Sequence, residues 1–339
     1  MRPLRRALVS IAPTRLDFGG GWTDVPPYPE ERGGFVCNIA ITRYATARIS
    51  TSHTSRGDIE TSRADIAPAI VRAALARHGD PELNVTLSSD YPIGAGLGGS
   101  SAAGVALSAA LRAIGGHDVH SVESRDAIAE SSRSIEVDEL GIPGGRQDHY
   151  AAAYGGALGI EFNSGTVARH IHLAPETIEE LEQRCIVAHT GQSRISGVTI
   201  SGVLDAYARR ERPVVEALER MKTLALGMRD ALASGDVDEL AALVDEHWIH
   251  QRTLHPAITT ERIDALGIAA WKAGAIGMKA LGASGGGCVI VFTRAGERHV
   301  VEKAIGDFSE PVPWRIAHQG VTVREQTGVM SRPSNARDP

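Results

Sequence analysis

The sequence predicts a protein of mixed helices and strands that is divided into two domains. Its 339 residues are enough for two hydrophobic cores. Its hydrophobic content of 42% and charged content of 22% are typical of a soluble globular protein. The composition changes near Cys185, where mixed strands and helices give way to mainly helical patterns. We therefore predict domains at 1–184 and 185–330, followed by a disordered tail at 331–339.

The first predicted domain contains short apolar strands and helices that end at glycine pairs. Its Ala7–Ile11 segment favours a strand, and a glycine- and proline-rich loop follows. The segments 35–41 and 44–50 have the pattern of two paired strands. The remaining expected elements are helices at 67–78, 102–114, 121–140 and 147–154, a strand at 85–87, and a hairpin formed by 157–162 and 167–173.

The second predicted domain begins with a buried strand and continues mainly as helices. Apolar runs predict its strands, and helical periodicity predicts its helices, one of which breaks before Pro256. The expected elements are strands at 185–189, 288–292 and 314–317, and helices at 197–232, 237–254, 261–273 and 297–308.

Charge and cysteine content exclude several classes of protein. The net charge is −6 and the basic residues are scattered, which argues against a nucleic-acid surface. The three cysteines, Cys37, Cys185 and Cys288, lie far apart, which argues against a disulfide framework and favours a reducing compartment. The apolar run that ends at Ala12 is too short for a signal peptide or a membrane span. We therefore expect a cytoplasmic protein.

The most informative segment is PIGAGLGGSSAA at residues 92–103, between a predicted strand and a predicted helix. Glycines allow backbone N–H groups to crowd around an anion, and the helix adds the positive end of its dipole. A hydroxyl at the end of such a loop can ligate the Mg²⁺ that accompanies a nucleotide. The segment therefore predicts a triphosphate site and a kinase, with phosphate-binding residues Gly94, Gly96, Leu97, Gly98, Gly99, Ser100 and Ser101.

Two other interpretations of this loop are open. Gly94, Gly96 and Gly99 satisfy the dinucleotide pattern G-x-G-x-x-G. That pattern requires a βαβ unit, whereas the helix at 102–114 is followed by two glycines and more helix. A Walker A loop is excluded because it would need a lysine that the segment lacks. A glycine-rich turn without a ligand remains the second alternative.

Two further glycine-rich segments complete an ordered set, APTRLDFGGGWTD at 12–24 and LGASGGG at 281–287. The set resembles the GHMP kinases, the family of galactokinase, homoserine kinase, mevalonate kinase and phosphomevalonate kinase, over about residues 8–310. The resemblance implies an α+β fold. It places a ribosomal protein S5 domain 2-like domain at the N-terminus, a ferredoxin-like domain at the C-terminus and the active site between them.

Within the family, the segments GGRQDHYAAAYGG at 144–156 and TGQSRIS at 190–196 are similar to those of heptose 7-phosphate kinases. The segment GGWTDVPPY at 20–28 is closer to L-fucokinase, because the heptose kinases have no tryptophan between the glycines and the threonine. Both groups of relatives phosphorylate an anomeric hydroxyl. The resemblance therefore implies a sugar 1-kinase and leaves the sugar open.

The resemblance also implies the catalytic residues. Asp148 would orient the acceptor hydroxyl and accept its proton, and Arg15 would neutralise charge near the transferred phosphoryl group. The alternative for Asp148 is a helix cap, and for Arg15 a surface salt bridge. Ser100 and Glu136 would ligate Mg²⁺, with Glu136 chosen over nearby acids by alignment to Gly141 and Pro143. The alternative for Glu136 is an exposed glutamate on a helix.

Residues on the acceptor side are implied in the same way. Asp24, with Thr23, would bind sugar hydroxyls, although an Asx turn is the alternative for Asp24. Arg194 would hold the distal phosphate of a phosphosugar, the alternative being a solvated loop arginine. Gly285 and Gly286 would bring the backbone close to substrate or phosphates, or would simply form a tight turn.

These observations lead to one expected function and several alternatives. We expect a sugar kinase that uses ATP and Mg²⁺ and makes a sugar 1-phosphate, with a heptose 7-phosphate as the leading acceptor and an L-fucose-like or other neutral sugar as the second. A non-catalytic sugar-sensing relative and an NAD-dependent enzyme are the alternatives outside this class. The sequence predicts no membrane or nucleic-acid partner and leaves monomer or homodimer open.

Overall fold

A computed structural model of the chain describes residues 7–51, 59–61, 67–78, 83–192 and 196–326. Within these ranges no helix is both long enough and apolar enough to span a membrane. The elements up to residue 184 are β1 (Ala7–Gly19), α1 (Tyr28–Arg32), β2 (Gly34–Thr51), β3 (Ile59–Thr61), α2 (Ala67–His78), β4 (Leu83–Ser89), α3 (Gly99–Ile114), α4 (Val122–Ser134), α5 (Gln147–Tyr154), β5 (Ala157–Phe162), β6 (Thr166–Ile171) and α6 (Pro175–Arg184).

The elements from residue 185 onward form the second part of the described chain. They are β7 (Cys185–His189), α7 (Ser196–Ala208), α8 (Arg212–Ser234), α9 (Val237–Thr253), α10 (Glu261–Lys272), β8 (Ala275–Ala280), β9 (Cys288–Thr293), α11 (Arg298–Ile305), β10 (Glu310–Pro311) and β11 (Thr322–Glu325). A π-helical turn at Ile135–Glu139 extends α4, and a 3₁₀ turn at Pro256–Ile258 follows α9.

The first sheet is organised by its two long antiparallel strands, β1 and β2. The two segments predicted as paired strands, 35–41 and 44–50, belong to the single strand β2, so that pairing is wrong. Pro13 pairs with Tyr44 and Thr14 pairs with Ile41, which leaves two residues of β2 unpaired in a bulge. A bulge bends a strand without reversing it, and it resembles a turn in the sequence pattern. The two halves of β2 pair separately with β5 and β4 on the side away from β1.

The second sheet has the strand order β10-β7-β9-β8, and all its pairings are antiparallel. Numbered along the second part, this is the order 4-1-3-2 of a ferredoxin-like β-α-β-β-α-β unit, which is enlarged here by additional helices after the first strand. The ferredoxin-like expectation is therefore confirmed. Strand β8 was not predicted, because its sequence pattern is interrupted by Gly277 and by the charged Lys279.

The described residues form two apolar clusters, and the larger one spans both parts of the chain. Leu224, Ala225 and Met228 of α8 pack in the same apolar cluster as the strands of the first sheet. The chain also returns to that sheet at its far end, where the unpredicted strand β11 pairs with residues 8–11 of β1. The expected strand at 314–317 forms only a single bridge, between Ile41 and Ile316. The predicted tail at 331–339 lies outside the described residues.

The returning chain comes very close to the first part at Gly155. Its φ is +70°, and a Cβ there would lie 2.2 Å from the backbone nitrogen of Gly320. Gly116 has a similar φ of +79° with open space around it. We expect Gly116→Ala to cost about 1 kcal/mol through backbone strain alone. Gly155→Ala should cost about 3 kcal/mol because overlap with the chain is added. Equal losses in urea unfolding would contradict this close approach.

Candidate active site

An ion pair between the buried Arg15 and the partly exposed Asp148 forms the centre of the candidate site. Arg15 lies on β1, and its Nε and Nη2 contact Asp148 Oδ1 at 2.7 and 2.6 Å. Its Nη1 donates to the carbonyl oxygen of Gly96 at 2.7 Å, and its backbone N–H donates to Leu97. Because the arginine side chain is only 3% exposed, the alternative of a surface salt bridge is wrong. The pair joins β1, the loop at 94–98 and α5.

Asp148 remains accessible although its partner is buried. Its side chain is 24% exposed, and Oδ1 accepts both contacts from Arg15. A Cβ on Gly98 would lie 3.1 Å from Oδ2, so the second carboxylate oxygen faces the glycine loop. A side chain at this position would crowd the carboxylate, and the φ of +73° at Gly98 also favours glycine. The geometry brings a carboxylate oxygen next to the predicted phosphate site.

The N-terminus of α5 is capped by Asp24, a residue far from this helix in the sequence. Its Oδ2 accepts a hydrogen bond from the backbone N–H of Gln147 at 3.0 Å. The residue in the cap position, Arg146, makes no capping hydrogen bond with its side chain. The capping role that was the alternative for Asp148 therefore belongs to Asp24. A carboxylate at the first turn of α5 also interacts favourably with the helix dipole.

Burial changes the acidity of Asp24. The side chain is 1% exposed, and burial raises its pKa to about 6 from the ordinary value of 3.8, with a further increase from the charges of Asp148 and Asp17. The hydrogen bond from Gln147 opposes this increase. The neighbouring Thr23 is also buried, and its hydroxyl bonds to the backbone of Gly20 and Phe35. Thr23 thus holds the loop in place.

The loop at 94–98 ends at the N-terminus of α3. Gly94, Gly96 and Gly98 have φ between +64° and +73°, a range that other residues rarely adopt. The helix begins at Gly99 without a side-chain cap, so the N–H groups of its first turn have no partner within the helix. The Leu97 side chain is buried, which leaves only its backbone for a ligand. This is the arrangement expected for an anion site.

Glu136 lies beside the first turn of α3. It belongs to the π-helical turn after α4, and its Oε2 accepts a hydrogen bond from the Ser101 hydroxyl at 3.1 Å. The Ser100 hydroxyl also faces this carboxylate, without the alignment of a regular hydrogen bond. His149 Nε2 lies 3.4 Å from the same oxygen. Burial raises the pKa of Glu136 and is opposed by the two serines.

The other acidic residues near Glu136 make contacts elsewhere. Glu130 accepts a hydrogen bond from the Tyr150 hydroxyl at 2.9 Å. Asp138 pairs with Arg133 at 3.2 Å, and Glu139 is an exposed partner of an arginine on α2. The structure therefore brings Glu136, and none of these three, to the serines of the glycine loop.

The residues at this point fit a magnesium ion that arrives with a nucleotide. The Ser100 oxygen is buried and has no hydrogen-bond partner among the described residues, and Glu136 adds a carboxylate. The described part of the chain holds no group of three or more His, Cys, Asp and Glu side chains placed to bind a metal. Mg²⁺ commonly takes one or two protein ligands together with phosphate oxygens and water, so two hard oxygen donors are sufficient.

The third glycine segment, residues 281–287, packs against the loop at 94–98, which is called the phosphate loop from here on. A Cβ on Gly96 would lie 2.7 Å from the Leu281 carbonyl oxygen, and Cys288 N–H donates to Ala95 at 2.7 Å. The N–H groups of Gly285 and Gly287 bond to the backbone of Ile258 and Gln192. At Gly286, a Cβ would lie 2.6 Å from the Gln192 carbonyl oxygen. The segment is a tight turn, which joins the strands β8 and β9 and not a helix and a strand, and it borders the phosphate loop. Its contact with substrate or phosphates stays a prediction. Arg194 lies outside the described residues.

A second ion pair, which was not predicted from the sequence, is buried close to the site. Lys279 of β8 is completely buried, and its Nζ contacts Asp17 Oδ2 at 3.2 Å and the carbonyl oxygens of Asp17 and Phe18 at 3.0 and 3.3 Å. The pairing of β1 with β2 shifts between Asp17 and Gly19. Lys279 therefore binds the end of β1 where the sheet becomes irregular. Its only signal in the sequence is one charge in an apolar segment.

Comparison with known proteins agrees with this geometry. Residues 65–156 match the GHMP kinases N-terminal domain, and residues 228–309 match the GHMP kinases C-terminal domain. The chain is 30% identical over 330 residues to the bifunctional fucokinase/GDP-fucose pyrophosphorylase of Arabidopsis thaliana; the match covers 87% of the chain and 30% of that longer protein. It is 26% identical over 315 residues to the D-glycero-alpha-D-manno-heptose 7-phosphate kinase of Campylobacter jejuni, covering 86% of the chain and 91% of that enzyme.

A solved structure shares the whole fold. The D-glycero-D-manno-heptose 1-phosphate kinase from Bacteroides thetaiotaomicron superposes with a TM-score of 0.76, covering 95% of this chain and 100% of that one. The two sequences are 22% identical, so the likeness concerns the fold alone.

The raised pKa of Asp24 predicts an unusual dependence of stability on pH. Because the folded-state pKa is higher than 3.8, protonation of Asp24 favours folding, and this contribution is lost as the pH rises through about 6. Asp24→Asn keeps an oxygen for Gln147 and removes the charge. We expect this variant to be more stable than the wild type at pH 8, by up to about 3 kcal/mol, with little difference near pH 4.

Urea unfolding at the two pH values measures this effect, and Asp118→Asn is the matched control. Hydrogen bonds from Ser121, Ser124 and His120 lower the pKa of Asp118. Its replacement should therefore destabilise the protein at pH 8. If Asp24→Asn is less stable than the wild type at pH 8, then the ionised form of Asp24 does not destabilise the folded protein and this explanation is contradicted.

Proposed function

Since the chain belongs to the GHMP kinase family, we propose that it transfers the γ-phosphoryl group of ATP to the anomeric hydroxyl of a sugar and so makes a sugar 1-phosphate. The observation that carries this proposal is the Arg15–Asp148 pair beside the glycine loop, with one carboxylate oxygen facing that loop. The chain is a sugar kinase of this family, and a heptose 7-phosphate is the leading acceptor. The Campylobacter relative named for that substrate aligns over 91% of its own length.

The proposed step is an in-line displacement. The anomeric oxygen forms a bond to the γ-phosphorus as the bond to the bridging oxygen of ADP breaks, and the hydroxyl proton passes to Asp148 Oδ2. Arg15 holds Oδ1 of the same carboxylate and stabilises negative charge near the transferred group. Three hydrogen bonds fix the guanidinium before the substrates arrive, so little reorganisation is needed during the reaction.

The nucleotide phosphates would lie on the first turn of α3. The unpaired N–H groups after Gly98 would donate to phosphate oxygens, with the helix dipole adding a favourable field. Ser100 and Glu136 would hold Mg²⁺, which neutralises charge on the β- and γ-phosphates when bound. His149, whose pKa burial lowers to about 3, stays neutral and lies against the Glu136 carboxylate without adding a charge.

The acceptor sugar would lie against the loop that follows β1. Asp24 is next to Asp148 and already accepts a hydrogen bond from Gln147. Its carboxylate is proposed to bind sugar hydroxyls as well, which requires this loop to open when the sugar arrives because the side chain is 1% exposed. Thr23 supports this loop through the backbone, and Gly285 and Gly286 support the opposite side. Arg194 is proposed to bind the distal phosphate of a phosphosugar.

A neutral sugar such as L-fucose is the second candidate acceptor. Trp22 favours it, because this residue lies in the acceptor loop with a φ of +80° and gives that loop its resemblance to L-fucokinase. The Arabidopsis relative, of which the chain spans 30%, carries a fucokinase name.

A substrate comparison tests the choice of acceptor. ATP turnover would be measured with a heptose 7-phosphate, L-fucose and galactose, and phosphorus NMR would locate the new phosphate. We expect the phosphosugar to be preferred and phosphorylated at the anomeric position. Arg194→Ala should raise its KM and leave the KM for ATP nearly unchanged. Better turnover of L-fucose would overturn the heptose assignment and favour the second candidate.

Asp148→Asn tests the proposed catalytic base. The amide cannot accept the hydroxyl proton, so kcat should fall on the order of 10²–10⁴-fold while ATP affinity changes little. Asp230→Asn is the control, because Asp230 is exposed on α8 and pairs only with its neighbour Arg229 among the described residues. Steady-state kinetics and nucleotide titration give both quantities. Near-normal turnover in Asp148→Asn would remove this residue from catalysis.

Glu136→Gln tests the proposed metal ligand. The amide is a weaker ligand for Mg²⁺, so the concentration of Mg²⁺ that gives half-maximal activity should rise about tenfold, while the KM for the sugar stays near its wild-type value. Ser100→Ala should act in the same direction. The matched control is Glu139→Gln, in the same π-helical turn but directed toward α2. If the Glu139 variant needs more Mg²⁺ and the Glu136 variant does not, the wrong acid has been assigned.

A further inference from the structure

Helix α9 presents two buried polar side chains that the proposed chemistry does not use. His247 is fully buried and Gln251 is 1% exposed. They are four residues apart, so they lie on one face of the helix, one turn from each other. The two side chains bind different glycine segments of the site.

His247 binds the loop on the acceptor side. Its Nε2 accepts a hydrogen bond from the backbone N–H of Gly20 at 2.9 Å. The proton of the neutral ring therefore lies on Nδ1, and burial keeps the ring neutral by lowering its pKa well below the ordinary value. A Cβ at Gly20 would lie 1.9 Å from the Phe35 carbonyl oxygen and 2.9 Å from the Ala225 Cβ, so the loop is tightly packed at this point. The loop that it fixes leads directly to Asp24.

Gln251 binds the turn on the nucleotide side. Its Nε2 donates to the Gly282 carbonyl at 3.2 Å and to the Ser284 hydroxyl at 3.1 Å. Ser284 has a φ of +61°, which is unusual for a residue other than glycine and must be held by its surroundings. The same turn packs directly against Gly96 of the phosphate loop.

We propose that His247 and Gln251 are positioning residues through which α9 sets the distance between the acceptor loop and the phosphate loop. Phosphoryl transfer needs the two reacting atoms at about 3–3.5 Å, and a helix turn is a rigid spacer of about 5.4 Å. His247 acts on the sugar through Gly20 and Asp24. Gln251 acts on ATP through residues 282–284 and Gly96. This inference rests on the proposed function, because it assigns the two loops to two substrates.

The test compares two variants, of which one should weaken sugar binding and the other ATP binding. His247→Leu removes the acceptor for Gly20, so the KM for the sugar should rise at least about fivefold while the Kd for ATP, titrated without sugar, stays unchanged. Gln251→Met removes the donor to the glycine turn, so the Kd for ATP should rise by a similar factor while the KM for the sugar is nearly unchanged. Both variants should lose kcat.

Three further variants separate positioning from folding. His247→Gln can place an oxygen near the position of Nε2 and should restore most of the sugar KM, whereas His247→Asn is too short and should not. His250→Leu is the control on the same helix, because His250 faces Glu246 at 3.8 Å and, among the described residues, makes no polar contact with either glycine segment. Thermal unfolding of each variant checks that the comparison is made on folded protein.

The outcomes distinguish a failure of this inference from a failure of the proposed function. The proposal is overturned if both variants change both constants in proportion to their loss of Tm, or if His247→Asn and His247→Gln behave alike. If the wild type phosphorylates no sugar, the proposed function fails. In that case the part of the inference that links Gln251 to ATP can still be tested. It is supported if Gln251→Met weakens ATP binding and His247→Leu does not, and it is overturned if the two variants bind ATP equally well.

Discussion

The fixed position of one buried cation determines most of the site. The Arg15 guanidinium is almost entirely removed from water, so each of its contacts must come from the protein. Asp148 and the Gly96 carbonyl supply them, which places α5 and the phosphate loop at fixed positions relative to β1. The close approach of Gly98 to Asp148 then follows, because the loop must pass over the carboxylate that Arg15 holds. A shift of any one of these three elements would leave a buried charge without its partner.

The three aspartates around this pair differ in the groups that they contact. Asp17 and Asp148 each contact one buried cation, Lys279 and Arg15 respectively, whereas Asp24 receives a backbone N–H. The carboxylate without a cation is the one whose pKa rises to about 6. Replacing a buried ion pair by apolar residues is often neutral or stabilising, so such pairs are weak evidence of stability. Under the proposed function, their arrangement places fixed charges next to a polyanionic nucleotide.

The sequence predicted what depends on local chemistry. The glycines of the phosphate loop, the start of α5 and the strand β7 follow from backbone freedom and periodicity, and the family resemblance supplied Arg15 and Asp148. The bulge in β2 was missed because two unpaired residues have the same pattern as a turn. Lys279, His247 and the cap role of Asp24 depend on contacts between residues more than 100 positions apart. No local pattern records such contacts, so a single sequence could not reveal them.

The most direct test of the account is a crystal structure with a non-hydrolysable ATP analogue, Mg²⁺ and the acceptor sugar. The quantity to measure is the distance from Asp148 Oδ2 to the nearest sugar oxygen. The account predicts that this oxygen is the anomeric one, at about 2.6–3.2 Å, with the γ-phosphate in line beyond it. A sugar that presents a different hydroxyl to Asp148, or that binds with its anomeric oxygen away from this carboxylate, would contradict the account.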